Sequence, residues 1–178
     1  DDAALMDLMR RHSIRHLPIV DDEGRLENLI SLEDLGPPAA AELQAMIMAG
    51  GLGTRLRPLT EDTPKPMLPV GGRPVLEIIL SQLRGAGIGQ ARISTFYKPE
   101  KIKSYFGDGS NFGLQLDYLD EKEPMGTAGA LRMVEDWPDP MLVLNGDILT
   151  RLSYAGMLAF HREHQAALTV AVREYEMQ

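Results

Sequence analysis

The chain contains no cysteine, which excludes disulfides, thiolate metal sites and a cysteine nucleophile. No apolar run approaches the roughly 18–20 residues that a membrane-spanning helix needs. The first residues, Asp1-Asp2-Ala3-Ala4, lack the basic end and apolar stretch of a secretory signal. They also lack an initiator Met, so a processed chain, or one cut from something longer, is expected. The expected compartment is the cytosol. An excess of positive charge is missing as well: 18 basic against 26 acidic side chains leave a net charge of −8. This argues against a nucleic-acid partner, because a phosphate backbone calls for a basic face. No internal repeat and no low-complexity tract occurs.

What is present is a globular composition, 44% hydrophobic and 25% charged over 178 residues. That length predicts one domain of about 100–200 residues, or one domain and a fragment. The charge is uneven. Residues 1–43 carry four basic and ten acidic side chains, whereas residues 44–74 carry four basic and two acidic. The one locally positive segment is also the glycine-rich one. A small anionic ligand suits it better than a polyanion.

Gly36-Pro37-Pro38-Ala39-Ala40-Ala41 reads as a break: proline stops the preceding element and small residues follow. Before it, the pattern predicts a helix over 4–11, a strand over 16–20, a turn at Asp21-Asp22-Glu23-Gly24 and a returning strand over 26–30. Roughly 35 residues cannot bury much core alone. After the break, strands and helices alternate. Strands are predicted over 45–49, 91–95, 114–119, 141–144 and 167–172, and helices over 75–83, 99–106, 128–135 and 153–164. This alternation argues for an α/β fold with a mainly parallel sheet covered on both faces. Ligands of such sheets sit beyond the carboxyl ends of the strands, here the loops after Ala49 and Leu144.

Four features stand at strand ends, two of them in the loop after Ala49, one after the strand over 114–119 and one after Leu144. Gly50, Gly51 and Gly53 let a backbone approach a ligand and turn its amides inward. Thr54 adds a hydroxyl, and Arg55 a charged fork suited to phosphate. This is not a Walker loop, because no Gly-Lys-Ser/Thr follows, and Leu56 stands where a dinucleotide fingerprint has its third glycine. Lys65 lies between Pro64 and Pro66, which stiffen its backbone. Gly126 and Thr127 read as a glycine turn opening a helix, whose free amides would bind an anion or a base edge. Asp147 closes an apolar strand, where a carboxylate is well placed to hold Mg²⁺. Singly each has an ordinary structural reading, as a turn, a solvated lysine or a cap. In this order, at strand ends of one sheet, they support one another. His12 with His16, and His161 with His164, read as surface histidines.

The run Gly50 to Pro69 (GGLGTRLRPLTEDTPKPMLP) resembles the signature of the sugar-nucleotide pyrophosphorylases, the NTP:sugar-1-phosphate nucleotidyltransferases. Glu123 to Leu131 (EPMGTAGAL) and Leu144 to Asp147 (LNGD) resemble the family's next two motifs. The resemblance covers residues 44–178. It implies a Rossmann-like nucleotidyltransferase fold, Mg²⁺, an NTP and a sugar 1-phosphate as partners, and release of pyrophosphate. By that match Gly50, Gly51, Gly53, Thr54 and Arg55 would hold the triphosphate, and Lys65 would contact phosphate at the reacting centre. Gly126, Thr127 and the stretch before them would face the base, and Asp147 would bind the metal. EPMGTAGAL is most similar to guanylyltransferases. A carboxylate accepts well from the N–H donors on guanine's pairing edge, so GTP is favoured, with Glu121 as the base contact. The thymidylyl and uridylyl branches are the competitors. The family's later half, with much of the sugar pocket, a further lysine and a second metal-binding carboxylate, has no counterpart before Gln178.

Ile14 to Leu35 (IRHLPIVDDEGRLENLISLEDL) resembles the second half of a CBS motif. Its Ser/Thr-x-x-Asp pattern, which implies contact with adenosyl ribose and phosphate, falls on Ser31 and Asp34. The expected organisation is a partial CBS motif over 1–36, a linker over 37–43 and a nucleotidyltransferase domain over 44–178. An adenine-nucleotide regulator and a homo-oligomer go with that reading. The rivals are a non-catalytic sensing module and a dinucleotide binder.

Overall fold

The computed structural model describes residues 2–31, 40–41, 43–126, 128–136 and 138–172. The chain divides into two compact units, residues 1–39 and 40–178. The linker assigned to 37–43 lies largely outside the described residues.

In the first unit, α1 spans Asp2–Arg11. It stops where Ser13 turns left-handed at φ 52° and the Ile14 amide donates back to the Met9 carbonyl. Strands β1 (His16–Val20) and β2 (Leu26–Ser31) pair antiparallel, with Leu17 opposite Ile30. Their turn is closed by Asp21, whose carboxylate accepts from the amides of Glu23 and Arg25 at 3.0 and 2.8 Å. Gly24 supplies the left-handed residue at φ 77°. This is the expected helix, strand, turn and strand.

The second unit is built on four parallel strands. After β3 (Gln44–Met48), a two-residue hairpin joins β4 (Pro69–Val70) to β5 (Arg73–Pro74). Gly71 and Gly72, at φ 60° and 82°, give it the two left-handed residues its tight turn demands. Next come α2 (Val75–Gly85), β6 (Gln90–Thr95), α3 (Pro99–Phe106), β7 (Gln115–Asp120), β8 (Met141–Asn145) and α4 (Tyr154–Glu163). The sheet order is β7-β6-β3-β8, with Ile47 level with both Ile93 and Leu144. The chain thus moves outward from β3 to β6 and β7, then returns to the other side of β3. That reversal opens a crevice beyond the carboxyl ends of β3 and β8.

The sheet is buried because β3 is apolar on both faces. Ile47 packs into the cluster made by Leu76, Ile79, Leu80 and Leu83 of α2, while Met46 packs with Ala130 and Val134 on the opposite face. All of these are 6% exposed or less. At the start of α4, Ser153 accepts from the Gly156 amide at 3.0 Å. Ser153→Ala should cost about 1 kcal/mol, the usual loss of an N-cap, readable as a lower urea midpoint at unchanged slope.

Two expected elements differ. The helix over 128–135 is a 3₁₀ turn of five residues, Gly129–Met133. Val134 is already extended at its end, which stops the turn there. The strand over 167–172 does not form. A strand needs a neighbour for its backbone groups, and no described strand pairs with this segment. It runs back along α4 instead, with Thr169 hydrogen-bonded to His161 at 2.9 Å.

Candidate functional site

The crevice at the strand ends is a cleft of about 470 Å³. Its walls come from the loop after β3, the segment at Lys65-Pro66, the turn after β7 and the end of β8. The strand ends are held together by their own backbone. The Ala49 amide donates to Ser94, Gly146 to Met48 and Glu121 to Thr95, at 3.1, 2.8 and 2.8 Å. Loops far apart in sequence therefore open onto one space.

Gly50, Gly51, Gly53, Thr54, Arg55, Lys65, Glu121, Gly126 and Asp147 all line this cleft. Gly53 is left-handed, φ 63°, and leads into a 3₁₀ turn at Thr54–Leu56. Gly50 lies against the carboxylate of Glu121, which a Cβ at 50 would push aside. Arg55 is exposed, and no described acidic residue pairs with it. A free guanidinium at the mouth of a cleft is available to an anion.

Lys65 opens a second 3₁₀ turn, Lys65–Met67, between the buried Pro64 and Pro66. Its ammonium donates to Asp147 Oδ2, across 82 positions of sequence. The two side chains are 34% and 29% exposed, so water still reaches the pair and a ligand can exchange with it. Glu121 accepts from the Met125 amide at 3.2 Å through Oε2. That bond tightens the turn carrying Gly126, which is left-handed at φ 75°. Because the expected helix after Gly126 is a short 3₁₀ turn, it offers no helix dipole. Any contact there comes from Gly126 and the turn itself.

Three sequence-predicted residues stand apart. Thr127 and Asp34 lie outside the described residues. Ser31 closes β2, opposite His16, in the first unit. Thr60 is a site feature that sequence reasoning missed. It is 1% exposed, and its hydroxyl donates to the Gly53 carbonyl at 2.8 Å.

Residues 44–178 match the nucleotidyl transferase family model, and residues 3–35 match the CBS domain model. The chain belongs to the nucleotidyl transferase family. Among its relatives is a mannose-1-phosphate guanylyltransferase of Mycobacterium tuberculosis, 43% identical over 134 residues, which cover 74% of this chain and 37% of that protein. A UTP–glucose-1-phosphate uridylyltransferase of Synechocystis is 36% identical over 144 residues, with the same coverage of 74% and 37%. The chain thus spans about 37% of the length of these nucleotidyl transferases. Among solved structures, a putative glucose-1-phosphate thymidylyltransferase from Bacillus anthracis superposes with a TM-score of 0.63 at 29% identity, over 68% of this chain and 50% of that one. HddC from Yersinia pseudotuberculosis, complexed with GMP-PN, gives 0.58 at 31% identity, over 67% and 54%. The α/β nucleotidyltransferase fold and the CBS segment are as the sequence implied. No described helix is long and apolar enough to cross a membrane.

Proposed function

We propose that this chain is the nucleotide-binding part of a sugar-1-phosphate nucleotidyltransferase and that its preferred nucleotide is GTP. The observation that carries the reading is convergence. The glycine loop, Lys65, the Glu121–Gly126 turn and Asp147 meet in one cleft at the point where the strand order reverses.

The chemistry follows from charge. A sugar-phosphate oxygen attacks the α-phosphorus of the NTP in line. The new P–O bond forms as the bond to the β-phosphate breaks, and pyrophosphate leaves with the electron pair. Two anions must meet, and charge grows on the bridging oxygen. Gly51, Gly53 and Thr54 bind the triphosphate, and Arg55 neutralises it from the cleft mouth. Lys65 exchanges Asp147 for phosphate and stabilises the leaving charge. No protein nucleophile is needed. Glu121 and Gly126 receive the base.

The residues also fit a Mg²⁺ ion. No described group of three or more His, Asp or Glu could hold a metal, but Mg²⁺ usually takes one or two carboxylates and completes its shell with water and substrate phosphates. Asp147, now neutralised by a cation, is such a carboxylate. When bound, the metal would supply further charge neutralisation at the phosphates.

Residues 1–36 form the CBS part of this reading, residues 37–43 the linker and residues 44–178 the transferase part, in a cytosolic protein. Ser31 belongs to the adenine-nucleotide site proposed for the CBS part. One experiment tests the whole: thermal unfolding with Mg²⁺ and, in turn, GTP, dTTP, UTP, CTP, ATP and AMP. Ligand binding to the folded state raises the midpoint. A rise with GTP above all others is expected. A rise with UTP or dTTP alone would move the reading to those branches. A response to AMP or ATP alone would leave a sensing module, and no response to any nucleotide would overturn the proposal.

A further inference from the structure

The loop that lines the cleft is fixed from behind. The Gly53 carbonyl accepts two bonds, from the Leu56 amide at 2.9 Å and from the Thr60 hydroxyl at 2.8 Å. The first belongs to the 3₁₀ turn. The second comes from a fully buried side chain whose methyl group stands 3.0 Å from where a Cβ on Gly53 would be. Thr60 thus crowds any side chain at 53, where the left-handed backbone already disfavours one, and fixes the plane of the peptide between Gly53 and Thr54. In a trans peptide the C=O and the next N–H point in opposite directions. A carbonyl drawn toward Thr60 therefore turns the Thr54 amide away from it. Gly53 and Thr54 line the cleft, whereas Thr60 does not.

Thr60 is itself tied down. The carbonyl of the next residue, Glu61, accepts from the Tyr97 hydroxyl and from the Lys98 ammonium, each at 2.7 Å. Lys98 also reaches the Asp62 carboxylate at 2.8 Å, and Lys101 donates to the Asp62 carbonyl. Lys98 does this from a left-handed backbone, φ 50°, a conformation that costs a non-glycine residue energy and persists only where its surroundings enforce it. The connection between β6 and α3 thus grips the strap 60–62, and the strap grips the glycine loop.

We infer that Thr60 is a positioning residue for the triphosphate. Braced through Glu61 by Tyr97 and Lys98, it holds Gly53 left-handed and aims the Thr54 amide into the cleft as an anion donor. The inference rests on the nucleotide-site reading of the cleft and adds the element that preorganises it. It concerns the phosphate end of the ligand only, because the base end belongs to the Glu121–Gly126 turn.

The test is calorimetric titration of the whole chain with Mg²⁺-GTP and with GMP, for the wild type, Thr60→Val, Thr60→Ser and Tyr97→Phe. Valine keeps the shape of threonine and removes only the donor. Thr60→Val should bind GTP roughly tenfold more weakly, as for one lost hydrogen bond, with GMP changed less than about twofold on the same scale. Thr60→Ser should restore GTP binding. Tyr97→Phe should weaken GTP in the same direction by a smaller factor, and it decides the matter if Thr60→Val does not fold. GTP affinity unchanged in Thr60→Val, or GTP and GMP weakened equally, would overturn the inference while the nucleotide site stands. A wild-type chain that binds no nucleotide would remove both.

Discussion

In the sugar-1-phosphate nucleotidyltransferase proposed above, of which this chain is the nucleotide-binding part, Lys65→Ala should lower the rate of pyrophosphate release by about 10²–10³-fold, the usual loss for one preorganised donor at a developing charge. The measurement is the initial rate with saturating GTP and a hexose 1-phosphate. Two observations make the size specific to Lys65. Its backbone is held between two buried prolines, so the side chain starts from a fixed point and little entropy is lost when it meets phosphate. Its ammonium already stands in the cleft, on Asp147. The same geometry predicts a small structural effect. Both partners are about one-third exposed, and such ion pairs contribute roughly 0–1 kcal/mol. The variant should therefore unfold within a few degrees of the wild type while turnover collapses. Turnover within about tenfold of wild type would remove Lys65 from the reacting centre.

Most of the fold was legible in the sequence because its signals are local. The apolar run at β3, the helical spacing of Val75, Leu76, Ile79, Leu80 and Leu83, and the glycines after Arg84 each fix an element without long-range information. The failures have the opposite cause. Residues 167–172 have strand-like alternation, but a strand exists only with a partner edge. The segment over 128–135 has helix formers, but it closes as a 3₁₀ turn over Gly129–Met133 and Val134 is already extended. The hairpin at Gly71-Gly72 was overlooked because its strands are two residues each, too short for any periodicity. The site was legible for a related reason. Glycines, a proline-flanked lysine and a strand-end aspartate are unusual at strand ends, and a parallel sheet gathers strand ends in one place. Thr60 was not legible, because a threonine in a polar loop is ordinary until its hydroxyl is seen to meet a left-handed glycine.

Glu121→Gln should reduce the preference for GTP over UTP by about 10–100-fold, as for one charge-assisted hydrogen bond lost. The structure makes this a clean exchange. Glu121 Oε2 accepts from the Met125 amide at 3.2 Å, and a glutamine keeps a carbonyl oxygen for that bond, so the turn that carries Gly126 survives. The second oxygen becomes an NH₂ group. It then faces guanine's N–H donors with donors of its own, whereas the pairing edge of uracil offers an acceptor as well. Gly50 leaves room for either group, since it has no Cβ to collide with the side chain. Titration of wild type and variant with both nucleotides gives the ratio directly, and equal unfolding midpoints would show that the turn is intact. If the ratio does not move, Glu121 serves only as the brace between the Gly50 loop and Met125. The base is then chosen by the Gly126 turn alone.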